Sequence, residues 1–337
     1  MKKQIYVAYT GGTIGMRPSS QGYVPVPGFL TETLAKMPEF HRDEMPSFTI
    51  HEYDSLIDSS DMSPLDWQQI ANDIQANYAD YDGFIILHGT DTMAYTASAL
   101  SFMLEDLCKP VIVTGSQIPL AELRSDGQVN LLNALYIAAN YPIAEVSLYF
   151  NNKLYRGNRS RKVDADGFDA FGSPNYPVLL SAGINIELGA GEIATQTKST
   201  LTVSQISSQP IGVITLYPGI SADVIKNTLQ QPVKALILLS YGVGNAPQNA
   251  ALLEQLRLAE KNDILVLNCT QCFRGKVNMN GYANGHVLRE VGVVSGNDMT
   301  PEAALAKLHY LLSKDLPMKE IKRQLLTNLR GELNPSA

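Results

Sequence analysis

Two buried-strand patterns in this chain each lead into a glycine and a threonine. The first is an apolar run at residues 5–9, followed by Thr-Gly-Gly-Thr-Ile-Gly at residues 10–15. The second is an apolar run at residues 84–87, followed shortly by a glycine and Thr90. Ligands of an open parallel sheet bind outside the carboxyl ends of its strands. Thr13 and Thr90 are therefore predicted to lie at one functional site.

Strand and helix patterns alternate along the chain. Ser63, Pro64 and Asp66, for example, form a strong helix start signal. The alternation shows no hairpins, so it predicts right-handed βαβ crossovers and a parallel sheet with helices on both faces. We expect an α/β fold with a larger N-terminal doubly wound, mostly parallel sheet domain and a smaller C-terminal α/β domain.

A change in composition suggests where the two domains separate. Residues 189–209 are rich in Gly, Ala, Thr, Ser and Gln and show little apolar periodicity, which favours a linker. We expect an N-terminal domain carrying the threonines at residues 1–188 and a C-terminal domain at residues 210–337. The length of 337 residues, 45% of them hydrophobic, suffices for two cores.

Two polar segments beside the expected site have both a functional and a plain interpretation. Residues 16–28 are rich in Gly, Pro and Ser and are not expected to hold regular structure, so they form either a flap that carries Tyr23 or a connecting loop. Asp58, Ser59 and Ser60 either bind a ligand or simply make a turn and a helix cap.

Composition excludes several classes of function. A net charge of −7 argues against nucleic acid as a partner, because phosphate backbones select basic surfaces. No apolar run is long enough for a signal peptide or a membrane span. The odd set of three cysteines suits a reducing compartment, so we expect a cytoplasmic protein.

Metal and cofactor motifs are absent from the sequence. Cys269 and Cys272 form a C-x-x-C pair without a second pair, and they are expected to be buried thiols. The five histidines lack metal-ligand spacing, and the glycine turn lacks both the G-x-G-x-x-G order and the P-loop lysine. We expect neither a metal nor a cofactor.

The remaining chemistry centres on threonine. A threonine hydroxyl is a poor nucleophile, so Thr13 needs a base and donors for an oxyanion. Lys162 acts as a base if a partly desolvated cleft removes its charge, and Asp91 is suited to binding a substrate ammonium. Alone, however, Lys162 in the basic segment 156–162 is more simply a solvated surface charge.

Five motifs resemble the bacterial L-asparaginases, and their wording is similar to the cytoplasmic, type I branch. They are T-G-G-T-I-G at 10–15, D-S-S-D-M at 58–62, H-G-T-D-T at 88–92, T-G-S-Q at 114–117 and Y-G-V-G-N at 241–245. The resemblance runs over essentially the whole chain. It implies hydrolysis of L-asparagine to L-aspartate and ammonia through an acyl-enzyme on Thr13, without a cofactor.

The resemblance also implies roles for further residues. Tyr23 would close over the site and assist Thr13, while Thr90, Asp91 and Lys162 would form the second catalytic group. The substrate α-carboxylate and α-ammonium would be bound by a set of residues that comprises Asp58, Ser59, Ser60, Thr90 and Asp91. The family builds homotetramers from close dimers, and Asn245 is the residue expected to complete a neighbour's site.

One position departs from the family pattern. Some type I enzymes bind a second, regulatory asparagine through an Arg just before S-Y-G-V-G-N and through the T-Q-C segment. Here Thr270, Gln271 and Cys272 are present, but the preceding position is Leu239. Because leucine cannot hold a carboxylate, we expect no strong regulatory site unless Arg161 supplies the missing guanidinium.

Two other functions remain open at this point. An amidotransferase component built on the same catalytic domain normally has an extra N-terminal domain, whereas this chain starts nine residues before the first motif. A non-enzymatic α/β protein that binds a small molecule would explain the sheet but not the two threonine turns and Lys162.

Overall fold

The computed structural model describes residues 2–20, 22–195, 200–230, 232–279 and 283–334. The chain divides into two compact units, Met1–Ser204 and Gln205–Ala337. The division lies within the range 189–209 that the sequence suggests as a linker. None of the helices in the described ranges is long and apolar enough to cross a membrane.

The first unit is built around a large sheet. Its described strands are β1 (Gln4–Gly11), β2 (Met16–Ser19), β3 (Gly22–Pro25), β4 (Ser47–Ile57), β5 (Gly83–Leu87), β6 (Leu104–Glu105), β7 (Val111–Thr114), β8 (Val146–Phe150), β9 (Lys153–Arg156), β10 (Arg161–Lys162), β11 (Phe171–Gly172), β12 (Leu180–Ala182), β13 (Ile186–Leu188) and β14 (Thr202–Val203). Its described α-helices are α1 (Phe29–Ala35), α2 (Pro64–Asn77), α3 (Met93–Met103) and α4 (Gly127–Asn140). Short 3-10 helices lie at Thr13–Gly15, Pro38–His41, Ser59–Asp61 and Gly157–Arg159.

The large sheet has the order β13-β12-β9-β8-β7-β5-β1-β4, and β4, β1, β5, β7 and β8 are parallel. Strands β5, β7 and β8 are buried along their whole length, as expected when helices cover a parallel sheet. Helix α2 begins at Pro64 with a capping box between Ser63 and Asp66, which confirms the start signal. The predicted α/β fold with a mostly parallel sheet is confirmed.

The expectation of no hairpins is wrong. Strands β8 and β9 pair antiparallel across a two-residue turn, Asn151–Asn152, in which both residues have positive φ, 45° and 64°. Such a turn matches the twist of a hairpin, and Asn tolerates the left-handed conformation better than most residues. Strands β12 and β13 also pair antiparallel.

Residues 16–25 form a further hairpin rather than the irregular segment that the sequence suggests. Strands β2 and β3 pair from Met16 opposite Pro25 to Ser19 opposite Gly22. The Ser19 hydroxyl donates to the Gly22 carbonyl at 2.6 Å, and Gly22 adopts φ +102°. A two-stranded ribbon pairs its backbone groups within itself, so it forms without the apolar alternation that marks a core strand.

The second unit contains a smaller parallel sheet. Its described strands, in the sheet order β15-β16-β17-β18, are β15 (Ile211–Thr215), β16 (Ala235–Ser240), β17 (Leu265–Thr270) and β18 (Val294–Ser295). Its described helices are α5 (Ala222–Leu229), α6 (Ala250–Lys261), α7 (Ala283–Glu290), α8 (Pro301–Leu312) and α9 (Met318–Leu325). This unit has its own apolar core, formed by the sheet with residues of α5, α6 and α7.

Glycines allow three loops of the first unit to pack backbone against backbone. A Cβ atom on Gly12 would lie 2.3 Å from the backbone nitrogen of Gly89, and one on Gly11 would lie 2.1 Å from the Ile57 carbonyl oxygen. A Cβ atom on Gly89 would lie 2.5 Å from the Ser59 hydroxyl oxygen. The loops that follow β1, β4 and β5 are therefore in direct contact.

A buried chain of hydrogen bonds supports the loop after β5. His88 Nδ1 lies 2.7 Å from the Gly89 carbonyl, and His88 Nε2 lies 2.8 Å from the Thr96 hydroxyl. The Gly89 carbonyl can only accept, so Nδ1 carries the ring proton and Nε2 accepts from the Thr96 hydroxyl, which itself accepts from the Trp67 indole at 3.0 Å. Burial lowers the pKa of His88 to about 4, which keeps the ring neutral with its proton on Nδ1.

We expect Gly12→Ala to destabilise the protein far more than Gly28→Ala. Both glycines have positive φ, but Gly12 has the extended ψ of 173° that disfavours other residues, and only Gly12 would meet a clash. Strain and overpacking together cost about 2–6 kcal/mol at Gly12, against about 1–2 kcal/mol at Gly28. Thermal and urea unfolding of the two variants measure the difference. Equal losses would show that the loops accommodate a methyl group.

We expect the stability of the protein to decline between pH 6.5 and about 4 because of His88. The folded state holds this ring neutral, while the unfolded chain protonates it below its ordinary pKa of 6.5, so protons favour unfolding in this window. The loss amounts to about 3 kcal/mol. Urea unfolding at several pH values should show a shallower decline for His88→Gln. Parallel curves for the two proteins would contradict the assignment of this pH dependence to His88. The pKa of the buried His309 is also lowered, but its contribution to the pH dependence is the same in both proteins and cancels in the comparison.

Candidate active site

Thr13 begins the 3-10 helix that directly follows Gly12. Its side chain is half-buried, and the backbone of the turn is held from two sides. The Leu120 amide donates to the Ile14 carbonyl at 2.9 Å, and the Tyr9 hydroxyl lies 3.4 Å from the Gly12 carbonyl. Burial raises the pKa of Tyr9, so its hydroxyl remains a donor. The sequence pattern gave no sign of this role for Tyr9.

Thr90, Asp91 and Lys162 form one hydrogen-bonded group. Lys162 Nζ donates to Thr90 Oγ1 at 2.9 Å and to Asp91 Oδ1 at 2.6 Å. The lysine side chain is only 21% exposed, whereas the Asp91 side chain is 64% exposed. The Lys162 side chain is therefore largely buried against Thr90 and Asp91.

Gln117 is a member of this group that sequence reasoning missed. Thr90 Oγ1 donates to Gln117 Oε1 at 3.0 Å, and Gln117 Nε2 donates to the Gly167 carbonyl at 3.0 Å. The T-G-S-Q motif marks the position, but the spacing of 27 residues from Thr90 gives no local sign of a contact. Its side chain extends the chain of polar contacts from Lys162 through Thr90.

Asp58, Ser59 and Ser60 lie beside the Thr90 turn. Asp58 Oδ1 accepts from the backbone and hydroxyl of Ser60, both at 2.9 Å, which caps the 3-10 helix Ser59–Asp61. The Thr92 hydroxyl donates to the Ser59 carbonyl at 2.7 Å. The turn interpretation of this segment is therefore realised, and the segment also adjoins the Gly89 loop.

Tyr23 lies on β3, opposite Pro18, and its side chain is 49% exposed. Strand β3 lies next to the 3-10 helix that begins with Thr13. The chain after the hairpin is anchored by Glu52, whose carboxylate accepts from the Gly28 amide at 2.7 Å and the Thr31 hydroxyl at 3.0 Å. The hairpin thus follows directly on the Thr13 turn, with Tyr23 exposed on its second strand.

Asn245 belongs to the second unit. It forms a tight turn after β16, in which its amide donates to the Tyr241 carbonyl at 2.8 Å and the Tyr241 amide donates to the Asn245 carbonyl at 2.9 Å. The turn is closed further by Asn268, whose side-chain amide donates to the Gly244 carbonyl at 3.0 Å. Asn245 therefore occupies an ordered position at the carboxyl end of a parallel strand.

The T-Q-C segment begins at the last residue of β17, and the Thr270 hydroxyl and the Gln271 side-chain amide nitrogen are already bonded. The Thr270 hydroxyl donates to the Gly242 carbonyl at 2.5 Å and accepts from the Cys272 amide at 3.0 Å. Gln271 Nε2 donates to the carbonyls of Leu216 and Leu239, each at 2.7 Å.

The cysteines differ from the expectation. Cys269 is buried as expected, but Cys272 is exposed, because it lies beyond the end of β17. Within the described residues, no three His, Cys, Asp or Glu side chains are grouped so that they could hold a metal ion.

Two family models match the chain. The model described as asparaginase, N-terminal, matches residues 4–193, and the model described as glutaminase/asparaginase C-terminal domain matches residues 210–325. Together they cover both units of the structure.

Several known proteins are similar over nearly the whole chain. L-asparaginase 1 of Escherichia coli (strain K12) is 68% identical over 99% of each chain. The crystal structure of L-asparaginase I from Vibrio cholerae is 65% identical, with a TM-score of 0.93 over 99% of this chain and 100% of that one. The thermostable L-asparaginase from Thermococcus kodakarensis is 30% identical, with a TM-score of 0.88 over 99% of this chain and 100% of its own. The chain belongs to the asparaginase family.

Proposed function

We propose that this protein hydrolyses L-asparagine to L-aspartate and ammonia. One observation carries the proposal: Lys162 donates hydrogen bonds to both Thr90 and Asp91. Thr90 and Asp91 lie on the loop after β5, and the backbone of that loop contacts the turn that presents Thr13. The names of the similar E. coli and V. cholerae proteins, L-asparaginase 1 and L-asparaginase I, support the choice of substrate.

Thr13 acts as the nucleophile. Its hydroxyl oxygen attacks the side-chain amide carbon of asparagine, the carbon–nitrogen bond breaks, and ammonia leaves after it receives a proton. Water then attacks the resulting ester: its oxygen bonds to the acyl carbon, the bond to Thr13 breaks, a proton of the water goes to the Thr13 oxygen, and aspartate is released. The turn that follows a glycine supports this role because it leaves the hydroxyl at the end of a strand, clear of the core.

Thr90 and Lys162 accept and transfer the proton of the Thr13 hydroxyl. Lys162 in its neutral form accepts the proton of Thr90 while Thr90 accepts one from the attacking hydroxyl, so the two steps balance. The contacts of Lys162 Nζ with Thr90 and Asp91 support a proton acceptor at this position. Tyr23 closes over the site and assists Thr13.

Asp58, Ser59, Ser60 and Asp91 bind the α-carboxylate and the α-ammonium of the substrate. Asp91 is well suited to the ammonium, because its carboxylate is mostly exposed and lies next to Thr90. In a homotetramer of close dimers, Asn245 completes the site of a neighbouring protomer.

Ammonia release from asparagine tests the proposed function directly. Purified protein is incubated with L-asparagine, and ammonia and aspartate are measured together, with Thr13→Ala as the blank. We expect equal amounts of both products from the natural chain. A protein that binds asparagine without releasing ammonia would instead be a binding protein, and the proposal would be rejected.

We expect Lys162→Met to reduce kcat about 10²-fold or more while Tm changes little. The variant removes the proton acceptor, but the ion pair that it breaks involves the exposed Asp91 and contributes little stability. Lys153→Met is the matched control, because Lys153 pairs with Asp169 on the surface. If Lys162→Met is as active as Lys153→Met, Lys162 is a surface charge after all.

We expect the rate to depend hyperbolically on asparagine concentration. Leu239 offers no cation to a second asparagine, and Thr270 and Gln271 already bond to backbone carbonyls. Losing a charge-assisted hydrogen bond, about 1.5–3 kcal/mol, weakens such a site at least tenfold. Initial rates over a wide range of asparagine concentration measure the curve. Clear sigmoidal kinetics would contradict this, and loss of the sigmoid in Arg161→Ala would then identify Arg161 as the substitute cation.

A further inference from the structure

Gln117 joins two parts of the proposed active site that are far apart in sequence. Its Oε1 accepts from the Thr90 hydroxyl at 3.0 Å, and its Nε2 donates to the Gly167 carbonyl at 3.0 Å. Gly167 lies in the loop that begins directly after Lys162. One amide group therefore connects Thr90 to the loop that follows its lysine partner.

These contacts determine the direction of the Thr90 proton. The Lys162 ammonium has only donors, so Thr90 Oγ1 accepts from Lys162 and must give its single proton to Gln117. The orientation of the amide is determined as well. A flipped Gln117 would turn its oxygen towards the Gly167 carbonyl, and two acceptors would then face each other.

The backbone at Gln117 is held by the Asp126 carboxylate at the start of α4. Asp126 accepts from the backbone amides of Gln117, at 3.0 Å, and Ile118, at 3.1 Å. Asn130 Nδ2 donates to Asp126 at 3.1 Å and to the Gly115 carbonyl at 3.0 Å. The backbone that carries Gln117 is thus fixed to the helix before any ligand is present.

The Gly167 carbonyl, which the Gln117 side chain binds, belongs to a hydrogen-bonded turn. Asp164 Oδ1 accepts from the amides of Asp166 and Gly167, both at 2.9 Å, and these bonds hold the pKa of Asp164 below its usual value. The carbonyl that Gln117 binds therefore belongs to an ordered loop. Gln117 spans two fixed points and contacts Thr90 between them.

We propose that Gln117 is a positioning residue that orients the Thr90 hydroxyl and ties it to the Lys162 loop; this inference rests on the proposed function. With its proton directed at Gln117, Thr90 Oγ1 keeps a lone pair for the proton of the attacking hydroxyl. When Lys162 is neutral, the Thr90 proton turns from the amide oxygen to Lys162 Nζ. Gln117 therefore controls the geometry of the proton transfer without itself taking up a proton.

Three variants test this role. Gln117→Met keeps the length of the side chain but removes both hydrogen bonds, and Gln117→Glu keeps an acceptor for Thr90 but loses the donor to Gly167. Gln209→Met is the matched control. Gln209 is also half-buried, accepts from Lys234 at 3.0 Å and donates to the Ser207 hydroxyl at 2.8 Å, but it lies in the second unit.

We expect Gln117→Met to reduce kcat for asparagine about 10- to 100-fold with KM within about twofold, since a misplacement of about 1 Å at the reacting groups costs as much as 10²-fold. Gln117→Glu should retain more activity than Gln117→Met, because its carboxylate still accepts from the Thr90 hydroxyl. Gln209→Met should match the natural chain in kcat and KM.

Two results would overturn the inference. One is a natural kcat in Gln117→Met; the other is a rise in KM without a fall in kcat, which would make Gln117 a substrate contact. Hydrogen exchange distinguishes failure of the inference about Gln117 from failure of the proposed function. The loop at residues 163–169 should exchange faster in Gln117→Met than in Gln209→Met even if the natural protein does not hydrolyse asparagine, and equal exchange would exclude the tie.

Discussion

The contact between the backbones at Gly12 and Gly89 is the constraint on which the site depends. No side chain fits between these two residues, so the loops after β1 and β5 meet directly, and Ser59 packs onto the same place. Thr13 and Thr90 each follow one of the two glycines. Their proximity is therefore a property of the backbone, which side-chain motion cannot undo.

The parallel sheet sets up this contact. Strands β1 and β5 are neighbours in register, with Tyr9 opposite Leu87, and the Thr10 hydroxyl donates to the Leu87 carbonyl at 2.9 Å where the two strands end. Two strands that end side by side deliver their loops to the same edge. The 3-10 helix of Thr13 and the buried ring of His88 then support the two loops.

The features that were predictable from the sequence are those with a local or periodic pattern. The buried parallel strands, the helix start at Ser63 and the two glycine–threonine turns follow from apolar runs and capping residues. The hairpin at Asn151–Asn152 carried a turn signal that the regular alternation of elements concealed. The contacts of Gln117 could not be predicted from the residues alone, because the bond to Gly167 spans 50 positions and arises only when the sheet brings separate loops together.

The hairpin of β2 and β3 has a mechanical consequence. The two strands pair their backbone groups with each other, so the hairpin can swing as one rigid body about its two ends. No disordered segment has to become ordered when a molecule binds. Fixing the backbone of a disordered residue costs about 1–2 kcal/mol, and a preformed ribbon avoids most of that entropy loss. One end of the ribbon leads to Gly28, which Glu52 ties to β4, and the other end follows the Thr13 turn, which the Leu120 amide and the Tyr9 hydroxyl hold, so both ends about which the ribbon can swing are fixed.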